Sequence, residues 1–135
     1  MTTLEYRVPY ADTDQMGVVY YGNYLTFFER ARNELMRESG FSYKECEALG
    51  FALPVVHAEV DYKSPAKYDD LLEIRAWVEE VKGVRCKICC EVRRKGEERI
   101  LAKGHTVHVF VDIKTMRPIP PPDVAVKRFI LGVEQ

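Results

Sequence analysis

The sequence has little that would tie it to a membrane, a nucleic acid or an oxidising compartment. No uninterrupted apolar run approaches the roughly 20 residues that span a bilayer, so no transmembrane segment is expected. The opening Met1-Thr2-Thr3-Leu4-Glu5 has neither the basic nor the apolar region of a secretion signal, and the chain is expected to stay in the cytoplasm. Charge is close to balanced, 20 Lys and Arg against 21 Asp and Glu, which removes any global pull toward nucleic acid or anionic lipid. Cysteine is sparse: Cys46, Cys86, Cys89 and Cys90, three of them in one predicted strand. Without a secretion signal a disulfide scaffold is not expected. Cys86 and Cys89 have C-x-x-C spacing, but on a strand an odd offset puts them on opposite faces, and no second pair completes a tetrahedral zinc site. They read as reduced thiols of a core or sheet face. Histidine is scarcer still. His105 and His108 lie an odd offset apart on one strand and His57 stands alone. No carboxylate–histidine cluster has ligand spacing, so no metal is expected, and no glycine-rich phosphate loop is present.

What remains is an ordinary globular composition, 47% hydrophobic and 30% charged, in 135 residues. That length fits a single domain, 1–135, with no internal repeat or linker, and is enough to bury a core. Leu4, Tyr6, Val8 and Tyr10 alternate with polar residues and predict a strand over 4–10, with Pro9 marking an edge or an end. The period then changes. Tyr20, Tyr21, Tyr24, Phe27, Phe28, Ala31, Leu35 and Met36 recur at helical spacing, predicting a helix that begins near 21–23 and stops at Gly40. Ser42 and Glu45 have capping-box spacing for a short second helix closed by Gly50.

From residue 53 onward the pattern is that of strands. Val56, Ala58, Val60 and Tyr62 face one way, and His57, Glu59, Asp61 and Lys63 the other. A strand over 71–81 turns at Lys82-Gly83 into one lined by Val84, Cys86, Ile88, Cys90 and Val92. Lys95-Gly96 turns into a strand over 98–112, where apolar parity switches from Ile100 and Ala102 to Val107, Val109 and Val111. A bulge near Gly104 accounts for the switch. Four prolines between Pro118 and Pro122 end the sheet, and an amphipathic tail, Val124–Leu131, follows. One helix cannot cover both faces of such a sheet, so a second subunit is expected against a face or edge.

Asp12 and Asp14 lie on the polar segment between the first strand and the long helix. Acyl-transfer chemistry needs a base or nucleophile beside a carbonyl, and hydrogen-bond donors where the oxyanion forms. A helix N-terminus supplies unpaired N–H groups and a positive dipole, and Gly17 and Gly22 permit close backbone approach. Taken alone, the two aspartates serve equally as turn-forming and capping groups.

The run Tyr10-Ala11-Asp12-Thr13-Asp14-Gln15-Met16-Gly17-Val18-Val19-Tyr20-Tyr21-Gly22-Asn23-Tyr24 resembles the signature of the hotdog-fold 4-hydroxybenzoyl-CoA thioesterase family, most of all its branch of Tol-Pal-associated acyl-CoA thioesterases. Phe28-Glu29-Arg30-Ala31-Arg32 and Ser64-Pro65-Ala66-Lys67-Tyr68-Asp69-Asp70 are similar to that branch too. The resemblance implies an α+β hotdog fold, a long antiparallel sheet wrapped around one long helix. It implies hydrolysis of an acyl-CoA thioester without metal or organic cofactor, and a homotetramer built as a dimer of dimers. Asp14 matches the catalytic carboxylate, and Tyr21 the residue whose backbone N–H polarises the carbonyl. Several members of the Tol-Pal branch carry histidine where this chain has Tyr21, whereas the hydroxybenzoyl-CoA enzymes carry tyrosine. Gly17, where the backbone can approach closely, is a candidate acyl-CoA contact, and Lys82 and Arg85 match by position a segment of the family that contacts CoA, with Lys63 and Lys67 as alternatives. Glu29 is a candidate contact for the acyl group or else a solvated helix charge.

Two other functions fit the fold. A hydratase or dehydratase would need a histidine paired with a carboxylate, and no histidine lies in 12–24. A non-catalytic module binding acyl-CoA or an acyl-carrier protein would gain nothing from a carboxylate beside the carbonyl.

Overall fold

The computed structural model describes residues 1–130. Strand β1, Thr2–Arg7, is shorter than its alternation predicts. Pro9 ends the pairing, and Tyr10–Asp12 close into a 3-10 turn that leaves Tyr10 in solvent. Helix α1, Asn23–Glu38, ends in the geometry its glycine predicts. Gly40 takes φ 84°, the Phe41 N–H donates to Met36 O at 2.8 Å and the Gly40 N–H to Arg37 O at 3.1 Å, so the last carbonyls are satisfied. Helix α2, Tyr43–Ala48, carries the full capping box between Ser42 and Glu45, an arrangement that contributes about 1 kcal/mol.

Strands β2 (Phe51–Ala52), β3 (Val55–Tyr62), β4 (Leu71–Lys82), β5 (Arg85–Arg94), β6 (Ile100–Val109) and β7 (Val111–Asp112) follow. Helix α3, Asp123–Ala125, then runs into a π-helical turn over Val126–Ile130. Its Arg128 stacks over Phe41, while Leu131 of the expected tail lies outside the described residues. The main sheet has five antiparallel strands in the order β1-β4-β5-β6-β3, and β2 pairs with β7 alone.

Helix α1 lies across the concave face of this sheet. Tyr24, Phe27, Phe28, Ala31, Leu35 and Met36 recur at three- and four-residue spacing, so one stripe of the helix is buried. It meets Leu72, Ile74 and Ala76 of β4 and Cys86, Ile88, Cys90 and Val92 of β5, all buried at every second position. Each large apolar side chain so buried contributes about 1.5–3 kcal/mol. The result is the α+β hotdog arrangement, with a sheet curved around a single long helix. Cys89 points to the opposite face from Cys86 and Cys90, and all four cysteines are free thiols.

Three sequence expectations are corrected. The turn between β4 and β5 spans Gly83 and Val84, one residue later than predicted, because Gly83 supplies the left-handed φ of 61°. The bulge in β6 is not at Gly104. Val92 pairs with Ala102 and Arg93 with Ile100, leaving Leu101 as the extra residue, whereas Gly104 pairs regularly with Cys90 and Val60. Gly104 is needed for another reason: a Cβ there would lie 2.0 Å from Glu59 O and 2.9 Å from Phe28 Cε2. It is where β3 and α1 crowd the strand.

The inward face of β6 is also not the valine face. Beyond Gly104 the core-facing residues are Thr106 and His108, whose polarity hides the true parity from a hydrophobicity pattern. They are satisfied in place. The His108 Nδ1–H donates to Leu53 O at 2.9 Å, and the Thr106 hydroxyl bonds His108 Nε2 at 2.8 Å. Arg32 is buried beside them, with Nε 3.2 Å from the Tyr43 hydroxyl.

Candidate active site

The segment between β1 and α1 folds into a small loop that touches the segment between β3 and β4. Thr13 bridges Val19, and Val18 bridges Lys67. The Asp14 N–H donates to Val18 O at 2.9 Å, and the Gly17 N–H returns to Asp14 O at 3.0 Å. Gly17 turns the chain there with φ 79°. The Val19 N–H donates to Ala66 O at 2.8 Å, and the Ala66 N–H reaches the Tyr24 hydroxyl at 3.3 Å. The two motifs, some fifty residues apart in sequence, thus form one surface. Arg94 braces it from β5, with Nε 2.8 Å from Asp70 Oδ2 and Nη2 2.9 Å from Pro65 O.

A cleft of about 310 Å³ opens where the two segments meet, lined by Asp14, Met16, Val18, Val19, Tyr21, Tyr24, Tyr62, Lys63, Ser64 and Pro65. Asp14 stands on its rim, partly exposed. One carboxylate oxygen, Oδ1, accepts the Met16 N–H at 2.8 Å, which fixes the side chain. Oδ2 has no partner among the described residues.

The start of α1 borders the same cleft through Tyr21. No side chain caps this helix, and the Tyr21 N–H finds no acceptor among the described residues. Its direction is nonetheless held. The Tyr20 carbonyl, in the same planar peptide, accepts the Asn23 N–H at 2.9 Å, so the Tyr21 N–H must point the opposite way. The Tyr62 hydroxyl donates to Tyr21 O at 2.9 Å and secures the next peptide. Tyr24 and Tyr62 stack edge to face with centroids 5.2 Å apart, making an aromatic wall.

Asp12 serves the scaffold. Its carbonyl accepts the Tyr20 N–H and the Asn23 side-chain amide, each at 2.9 Å, and its carboxylate accepts the Tyr6 hydroxyl. Burial, reinforced by that bond, pushes the Tyr6 phenol up to about 12. Burial likewise raises the Tyr24 phenol above its usual value, so both stay protonated, Tyr6 donating to Asp12 and Tyr24 accepting the Ala66 N–H.

Other sequence candidates fall elsewhere. Glu29 is exposed on α1 and does not line the cleft. Lys82 and Arg85 face each other at the tip of the β4–β5 hairpin. The cleft lies toward the opposite end of β4, where Leu71 pairs with Arg7, and neither Lys82 nor Arg85 is among its lining residues; the strand between is roughly 35 Å long at about 3.3 Å per residue. Within one chain these two residues therefore do not reach the cleft. Lys63, held in the sequence as an alternative, lines it. Tyr62 was missed as a site residue; the one signal was its place as the last inward position of β3, beside the second motif.

The histidines are placed differently from what their spacing alone predicts. His105 and His108 do face opposite sides, one outward and one at the core. Yet β3 pairs with β6 so that Glu59 stands opposite His105, and the ligand atoms of His57, Glu59 and His105 lie within 4.8 Å of one another. Strand register makes a cluster that no sequence spacing announces.

A model of the thioesterase-like superfamily matches residues 8–129, nine-tenths of the chain. The chain belongs to that superfamily and is an enzyme of the thioesterase type. It is 40% identical to the acyl-CoA thioesterase YbgC of Haemophilus influenzae, over 86% of this chain and 85% of that protein. It is 35% identical to the acyl-CoA thioester hydrolase YbgC of Escherichia coli O6:H1, over 91% of each. Among solved structures, a 1,4-dihydroxy-2-naphthoyl-CoA thioesterase from Synechocystis superposes with a TM-score of 0.87 at 28% identity, covering 96% of this chain and 95% of that one. No helix of the described residues is long and apolar enough to cross a membrane.

Proposed function

We propose that this chain hydrolyses the thioester of an acyl-CoA to the free acid and CoA, with Asp14 as nucleophile or general base and the Tyr21 N–H polarising the carbonyl. The observation that carries this reading is the pairing, on one aromatic-walled cleft, of a carboxylate with one oxygen fixed and one free and a helix-start N–H with fixed direction and no acceptor. As the carbonyl carbon becomes tetrahedral, its oxygen gains negative charge, which the Tyr21 N–H and the positive end of α1 stabilise. If Oδ2 attacks, the C–S bond breaks, the CoA thiolate leaves and water hydrolyses the acyl-Asp14 anhydride. If Oδ2 instead takes a proton from water, the hydroxide attacks and the thiolate leaves with that proton. A thiolate is a competent leaving group, so neither route needs a strong general acid. No histidine is among the residues lining the cleft, which weighs against hydratase chemistry.

Lys63, on the rim, is a candidate partner for the CoA phosphates, in preference to Lys82 and Arg85 of the same chain. The reading places the enzyme with the Tol-Pal-associated branch, as a single cytoplasmic domain assembling as a homotetramer, a dimer of dimers. In its support, β3 is an edge strand of eight residues with Val55 and Val56 exposed, an edge that favours pairing with another chain.

The test is thiol release from a panel of aliphatic and aromatic acyl-CoAs. Asp14→Asn keeps the turn-forming oxygen and is expected to lower kcat/KM by about 10²–10⁴-fold. Asp12→Asn should be far milder in kcat. Unchanged turnover in Asp14→Asn would refute the mechanism. Single-turnover hydrolysis in ¹⁸O-labelled water separates the routes, because label enters the Asp14 carboxylate only through the anhydride.

A further inference from the structure

On the convex face of the sheet, away from α1 and the cleft, we infer that His57, Glu59 and His105 form a binding site for a first-row divalent transition-metal ion such as zinc. Glu59 bridges the two imidazoles. Its Oε1 is 3.1 Å from His57 Nε2 and its Oε2 is 3.9 Å from His105 Nδ1. Donor atoms around a tetrahedral zinc, at about 2.0–2.1 Å from the ion, lie roughly 3.3 Å apart, and the ligand atoms here, all within 4.8 Å of one another, reach that spacing by small side-chain rotations. The two rings are tilted by only 32° with centroids 5.7 Å apart, which lets both present a nitrogen lone pair to one point.

The backbone holds this arrangement. His57 and Glu59 are two residues apart on β3 and so share a face, and Glu59 is register-paired with His105 on β6. Gly104, one residue away, is the position where β3 approaches so closely that no Cβ fits. The side chains are therefore carried on two strands fixed relative to each other, while their exposure leaves them free to close on an ion.

The local charge favours a cation. Glu59 supplies the carboxylate of the cluster and stands between the two imidazoles. On the same face Lys87 and Glu79 neutralise each other at 2.9 Å, Asp61 is register-paired with Lys103, and Arg75 lies 3.5 Å from Glu91. Cys89 is register-paired with His105 from β5 but lies outside the group of His57, Glu59 and His105 whose ligand atoms fall within 4.8 Å of one another. Two imidazoles and one carboxylate with open positions suit an exchangeable ion such as Zn²⁺, Ni²⁺ or Co²⁺ rather than Mg²⁺ or Ca²⁺, which prefer all-oxygen sites. Bound there, the ion would clip the edge strand β3 to β6.

The test uses the full chain in its native assembly, stripped with a chelator, and zinc chloride titrated in competition with a chromophoric chelator at pH 7.5. One zinc per chain is expected. His57→Ala and His105→Ala should each weaken binding at least tenfold, and Asp14→Asn should leave it unchanged. Zinc should raise the thermal midpoint of the wild type and not of either histidine variant. Both variants should keep thioesterase turnover, which also shows them folded. Cobalt should give the visible bands of a four- or five-coordinate site in the wild type alone. Three results would overturn the inference: no zinc bound at 100-fold excess over protein, equal binding by wild type and both histidine variants, or binding abolished by Cys89→Ser and by neither histidine change.

Discussion

Acid should unfold this protein through a group that has no part in the proposed chemistry. His108 is fully buried on β6. Its Nδ1–H is committed to Leu53 O, so Nε2 carries the lone pair and accepts the Thr106 hydroxyl. A second proton on Nε2 would face that hydroxyl and place a cation beside the buried guanidinium of Arg32, 3.5 Å from Thr106 Oγ1. Burial is the main cause, with the Arg32 charge adding to it and the Leu53 bond opposing, and the imidazole is pushed down from 6.5 to about 4. The unfolded chain, with its histidine near 6.5, then binds a proton that the folded state refuses. The depressed value contributes stability that is fully present above pH 6.5 and is lost as pH falls toward 4. At 1.36 kcal/mol per pH unit the loss across that window is about 3 kcal/mol, a large part of an ordinary domain's stability. Urea unfolding at fixed protein concentration should be measured at pH 7.5, 6 and 5 for wild type and His108→Gln. The variant is less stable at pH 7.5, but its stability should fall less steeply, because carboxylates and the exposed histidines titrate alike in both. Parallel profiles within about 0.5 kcal/mol, or an NMR titration of His108 centred above pH 6, would refute the reasoning.

Gly104→Ala should destabilise by about 1–3 kcal/mol or more, since the methyl must displace the β3 backbone and the Phe28 ring; a denaturation midpoint unchanged from wild type would remove the close approach as the reason for glycine. Tyr62→Phe removes the bond to Tyr21 O while keeping the aromatic wall, at a cost of about 0.5–1.5 kcal/mol in stability. In acyl-CoA assays it should lower kcat more than it raises KM, and a change in KM alone would mean that Tyr62 only contacts substrate.

Local periodicity made much of this molecule legible. The stripe from Tyr24 to Met36, the Ser42–Glu45 capping box, the glycine stop at Gly40 and the alternation of β3, β4 and β5 all depend on residues within a few positions of each other. Backbone geometry sets those spacings, so they can be read without the fold. Asp14 stood out as a candidate in another way, through a contiguous motif that sets a carboxylate close in sequence to a helix start. Where polarity and position disagreed, the pattern failed. Thr106 and His108 turn a polar pair to the core, while Val107 between them is only half-buried.

Tertiary structure decided what crosses between strands. Residue spacing does not carry register, and register alone brings Glu59 opposite His105 and lays the 64–67 loop beside 13–19. Strand length, too, is a tertiary distance: it separates Lys82 and Arg85 from Asp14 and leaves Lys63 at the cleft. The sequence by itself determined which residues could do chemistry and which local elements would carry them. Which of those residues meet was decided by sheet pairing, because one hydrogen-bond register brings together groups that the chain keeps fifty residues apart.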